Sequence, residues 1–117
     1  MTLLGYDPLV APKQATETGV ALVSLDELLS QSDFVSLHLS LNEQTTGLIN
    51  GQRIAQMKHG AILISTARGG IIENLDVLAE ALERGQLSGV GLDVFPIEPP
   101  DFSHRLFDDP RFALLTC

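Results

Sequence analysis

Three short stretches of this chain hold the side chains best placed to do chemistry. The first is "ISTARGG", residues 64–70, where Arg68 follows Ser65, Thr66 and Ala67 and precedes Gly69 and Gly70. Small residues at 65 to 67 let a flat ligand approach the backbone closely, and Gly69 and Gly70 let the chain turn away toward the next helix. The planar guanidinium offers a fork of donors suited to a carboxylate or a phosphate. The second stretch is "LDVFPIEPP", residues 92–100, with Asp93 and Glu98. The third is "GYDP", residues 5–8, with Asp7. Each follows or closes an apolar run, so the elements that carry them come next.

"TLLGY" (2–6) reads as a short strand closed by Asp7-Pro8. "SLDELLSQ" (24–31) has the Ser-x-x-Glu form of a capping box, with Leu25, Leu28 and Leu29 on one helical face. "FVSLHL" (34–39) is the next strand. "NGQRIAQMKHG" (50–60) opens on a capping Asn50, carries Ile54 and Met57 and stops at Gly60. "AILIS" (61–65) is too continuously apolar to have a wet face. "NLDVLAEALERG" (74–85) is the clearest helix, with Leu75, Leu78, Ala79 and Leu82 as its stripe and Gly85 as its stop. "GVGLDVF" (89–95) and "FALLT" (112–116) are the last strands, joined by a Pro-rich loop. Short apolar strands alternating with amphipathic helices imply a parallel sheet covered on both faces. Ligands of such a sheet sit beyond the carboxyl ends of its strands. Those ends are Asp7, His38 to Ser40, Thr66 to Arg68, Asp93 to Glu98, and Thr116 with Cys117.

Composition narrows the function. The chain has 117 residues, 15 acidic against 7 basic, and a formal charge of −8. Nucleic acid is a poor partner for it, because phosphate binding is built from clustered Lys and Arg. No apolar stretch is long enough for a membrane span, and the N-terminus lacks the pattern of a signal peptide. A single cysteine, Cys117, cannot pair within the chain, which favours the cytoplasm. No His/Cys/Asp cluster has metal-ligand spacing, so no metal is expected. Asp108 and Asp109 read as a solvated pair, His59 and His104 as exposed, and His38 as a structural strand-end residue.

"GYDP", "SDFVSLHLSLNEQTTGLI", "MKHGAILISTARGGIIE", "ALERGQLSGVGLDVFPIEPP" and "ALLT" occur in order. Together they resemble the NAD-binding domain of the D-isomer-specific 2-hydroxyacid dehydrogenases, over nearly the whole chain. The resemblance implies a Rossmann-like doubly wound parallel sheet and a nicotinamide cofactor, NAD. It implies a small 2-hydroxy or 2-keto acid as substrate and a homodimeric parent. By the same resemblance, Asp7 binds the adenosine ribose, Thr66, Ala67 and Arg68 line the nicotinamide ribose, and Asp93 lies near the carboxamide. Arg68 also holds the substrate carboxylate, and Glu98 pairs with a catalytic histidine. Histidine suits the proton transfer, and a neighbouring carboxylate stabilises its charged form.

The departures are also specific. The family's G-x-G-x-x-G turn is not found in these residues, and its histidine falls just beyond Thr116-Cys117. The chain therefore reads as part of an NAD-binding domain, without its first strand, glycine turn or substrate-binding domain. The missing central strand would lie between the strand at 2–6 and the strand at 61–65 or its neighbour. Two other functions are weighed against catalysis: an NAD-sensing or corepressor-like protein of the same fold, and an inactive fragment. A phosphoacceptor receiver domain is rejected, because Tyr6 precedes Asp7 and no lysine follows residue 58.

Overall fold

The computed structural model describes residues 3–6, 19–96, 98 and 100–115. The expectations for Asp7, Thr116 and Cys117 therefore lie outside the described residues. Among the described residues, six strands and three α-helices follow in order: β1 (Leu4–Gly5), β2 (Ala21–Leu22), α1 (Leu25–Gln31), β3 (Phe34–Leu37), α2 (Gly51–Gln56), β4 (Ala61–Ser65), α3 (Leu75–Arg84), β5 (Leu87–Leu92) and β6 (Phe112–Leu114). Single 3₁₀ turns form at Gly69–Ile71 and Arg105–Asp108. All strand pairs are parallel. They fall into two sheets, β1-β2 and β3-β4-β5-β6.

Each helix starts where the sequence caps it. Ser24 Oγ accepts from the Glu27 amide, Asn50 Oδ1 from that of Arg53 and Asn74 Oδ1 from that of Val77. Each bond satisfies one of the amides left open at a helix start. Gly85 ends α3 in the left-handed conformation, at φ 76°, as a side chain there would rarely do. α2 stops at Met57, three residues before Gly60; Gly60, at φ +86°, makes the turn into β4 instead.

The helices pack on one side of the four-stranded sheet. Leu29, Ile54, Leu78 and Leu82 are buried with Val35, Leu37, Leu63 and Leu92. Burial of such a side chain stabilises the fold by about 1.5–3 kcal/mol each. The alternate residues face the other way: Phe34 is 66% exposed, Ser36 is exposed, and Ile62 and Ile64 are half-buried. The cover expected on the second face is not among the described residues, yet no residue of Ala61–Ser65 is exposed: Ala61, Leu63 and Ser65 are buried and Ile62 and Ile64 half-buried. Among the described residues one face of the sheet is lined by helices and the other is not.

The gap between the sheets lies between β1 and β3. A cavity of about 230 Å³ opens there, lined by Leu4, Tyr6, Leu28, Val35, Leu37 and His38 among others. No backbone hydrogen bond crosses it among the described residues. β3, the neighbour of β4, therefore faces β1 across the gap.

Candidate active site

The parallel register puts the ends of β4 and β5 side by side, with Ser65 opposite Leu92. The Asp93 amide continues the ladder, donating to the Ser65 carbonyl at 3.0 Å. Thr66, Ala67 and Arg68 leave β4 at the same edge where Asp93 leaves β5. Asp93 is half-buried and already bonded within the chain. The three predicted positions after β4 and the one after β5 thus share one ridge.

Arg68 is exposed and extended, at φ −140° and ψ 136°. Arg53, Arg105 and Arg111 each meet a carboxylate. Arg68, like Arg84, has no such partner among the described residues. Its fork of donors is left for something outside the fold. Thr66 beside it is exposed and likewise unpartnered among those residues, and the Ser65 hydroxyl beneath is fully buried without a hydrogen bond. The carboxyl edge of a parallel sheet, where these groups stand, is where such folds bind ligands. Asp7, the residue proposed for the other end, lies outside the described residues.

Glu98 is exposed, and its Oε1 accepts from the Phe95 amide at 3.0 Å. Phe95 is itself 8% exposed, its ring 5.7 Å from that of Phe107. The backbone of Phe95 in turn rests on Gly69, so Glu98 and Arg68 are joined through two backbone segments. The Gly-Gly pair reads in the sequence only as a turn; the partner on which Gly69 packs is 26 residues away and left no local signal.

Two side readings change and a third holds. His104 is not simply exposed. Its Nδ1 accepts from the Leu106 amide, which leaves the proton on Nε2 to donate to Asp76 Oδ1 at 2.7 Å. Asp109 is not a solvated acid: Arg111 grips it with Nε at 2.9 Å and Nη2 at 2.8 Å. That fork holds the Asp109 carboxyl below the ordinary carboxylate range and raises Arg111. His38 lies at the end of β3 with its Nε2 2.7 Å from Ser36 Oγ, beside the cavity and not among the groups around Arg68. Among the described residues no cluster of His, Cys, Asp and Glu could hold a metal ion, and no helix is long and apolar enough to cross a membrane.

A parallel α/β sheet with polar residues gathered at the carboxyl ends of its strands is a Rossmann-like arrangement. Comparison with known proteins makes the class narrower. Residues 1–116 match the family described as D-isomer specific 2-hydroxyacid dehydrogenase, NAD binding domain, and the chain belongs to that family. The D-3-phosphoglycerate dehydrogenase of Mycobacterium leprae is 42% identical over 96% of this chain and 20% of its own length. The hydroxypyruvate reductase of Thermotoga maritima is 45% identical over 86% of this chain and 31% of its own. Among solved structures, a glyoxylate reductase from Paecilomyes thermophila superposes with a TM-score of 0.87 at 40% identity, covering 98% of this chain and 34% of that one. A D-lactate dehydrogenase from Aquifex aeolicus, complexed with NAD and lactic acid, gives 0.85 at 35% identity, over 97% and 38%. The chain spans 20% of the length of the first of these curated relatives.

Proposed function

We propose that these residues serve an NAD-dependent oxidoreductase that moves a hydride between nicotinamide and a small D-2-hydroxy or 2-keto acid. The observation that carries this reading is Arg68, an exposed guanidinium with no partner among the described residues, on the carboxyl edge of the sheet. It is the natural seat for the substrate carboxylate, and a bidentate grip there fixes which face of C2 meets the cofactor. Thr66, Ala67 and Asp93 line the nicotinamide end, and Asp7 binds the adenosine ribose hydroxyls. Glu98 steadies the imidazolium of a histidine that the full polypeptide supplies after the last strand. NAD, when bound, supplies the hydride chemistry itself. The histidine takes the hydroxyl proton on oxidation and returns it on reduction. A cytoplasmic homodimer is the expected form of the full polypeptide.

The test is NADH oxidation by the full polypeptide against a panel of glyoxylate, hydroxypyruvate, pyruvate and their methyl esters. Consumption with at least one acid, and none with its ester, is expected. Equal rates with acid and ester would show that no guanidinium reads the carboxylate.

A further inference from the structure

We propose that Gly69 is a positioning residue that fixes Arg68 relative to Glu98 by seating its bare Cα against the backbone of Phe95. The inference rests on the substrate-binding role given to Arg68 above and adds to it a mechanical link to the proton-transfer side. A Cβ on Gly69 would lie 1.7 Å from the Phe95 carbonyl oxygen, 2.0 Å from its carbon and 2.6 Å from its nitrogen. No side-chain rotation relieves an overlap with three backbone atoms. Conformation is not the reason for glycine here, since only Gly19, Gly47, Gly60 and Gly85 have positive φ. Space is the reason. Gly70 is the contrast: a Cβ there would meet only the two Cδ methyl groups of Leu41, at 3.2 Å, the far end of a flexible side chain.

Both sides of the contact are held. Arg68 O accepts from Ile71, Gly70 O from Gly47 at 2.8 Å, and the Ile49 amide reaches Ile71 O at 2.9 Å, so the segment after Arg68 cannot back away. Phe95 is fixed by its buried ring and by the bond from its amide to Glu98. A displacement at Gly69 therefore reaches the guanidinium in one direction and the Glu98 carboxylate in the other. A misplacement of about 1 Å in such machinery can cost a hundredfold in rate.

The experiment uses the full polypeptide and five variants: Gly69→Ala, Gly70→Ala, Glu98→Gln, Glu98→Ala and Arg68→Lys. Gly69→Ala is expected to raise KM for the 2-keto acid by about a hundredfold and to lower the pH at which reduction fails. It should also speed hydrogen exchange at the Phe95 amide. Gly70→Ala should stay within about twofold of wild type in every readout. Glutamine keeps an acceptor for the Phe95 amide, so Glu98→Gln should move the pH profile without raising KM; Glu98→Ala should do both. That pair carries the test if Gly69→Ala does not fold, and equal KM values for the two would overturn the proposal. Unchanged Phe95 exchange in a folded Gly69→Ala overturns it too. An unchanged KM in Arg68→Lys overturns the substrate reading, and the positioning role with it. A normal Arg68→Lys defect beside wild-type kinetics in Gly69→Ala overturns the positioning role alone.

Discussion

In the proposed function Arg68 and Glu98 divide the work at the residue scale: one would meet the substrate, the other a proton carrier. Replacing Glu98 by Gln removes a negative charge beside the histidine, so that histidine's pKa falls. Reduction needs the imidazolium, and its activity should therefore be lost at a lower pH than in wild type. A superimposable pH–rate profile for the two enzymes would separate Glu98 from the base. Asp7 governs a different choice. In the proposed role its carboxylate would accept from ribose hydroxyls and repel a 2′-phosphate, and the following segment "PLVAPK" offers only Lys13 as a cation. The full polypeptide should prefer NAD, and a kcat/KM with NADP equal to or above that with NAD would contradict this. Arg68 was legible because its surroundings are bare and follow an apolar run. Gly69 was legible only as a turn, since the backbone it packs on is brought near by the β4–β5 register.

The elements follow local signals where those signals are strong. Asn74, the leucine stripe and Gly85 mark α3 at both ends, and the structure places Leu75–Arg84 between them. Asn74→Ala should cost about 1 kcal/mol by leaving the Val77 amide open. Gly85→Ala should cost about 1 kcal/mol or more, because alanine must adopt φ 76°. Chemical denaturation measures both, and no change in either midpoint would show that the caps are idle. Two-residue strands carry no periodicity: β2 (Ala21–Leu22) was not foreseen, and β1 was expected to be longer. The Arg111 clamp on Asp109 joins residues two apart, a contact that depends on how the chain turns at Pro110. Asp109's pKa is lowered in the folded state. Its contribution is thus full above the unfolded carboxylate value, about 3.9, and fades as pH falls through the lower folded value. Urea midpoints of wild type and Asp109→Asn should differ at pH 6 and converge toward pH 3, both values chosen to bracket that range. A constant difference across the range would place the effect elsewhere.

At the scale of the molecule, the alternation of strands and helices was enough to read a parallel α/β sheet, while its division into two was expected only through the family resemblance. Strand order depends on pairing across long separations, which no local pattern encodes. The β1-β2 pair faces β3 across a cavity of about 230 Å³. The facing backbone edges have no partner among the described residues. Two-stranded sheets are marginal by themselves. Against a typical stability margin of about 5–15 kcal/mol, residues 1–117 expressed by themselves should be at best marginally folded and without dehydrogenase activity. A cooperative thermal transition together with micromolar NADH binding would show that nothing needs to fill that gap.

The central claim is that Arg68 grips the substrate carboxylate as a fork. Steady-state kinetics of Arg68→Lys in the full polypeptide, with its best 2-keto acid and NADH, tests this most directly. Lysine keeps the charge and loses the planar pair of donors. A fall in kcat/KM equivalent to about 2–4 kcal/mol or more is expected. A Lys variant that turns over at the wild-type kcat/KM would contradict it.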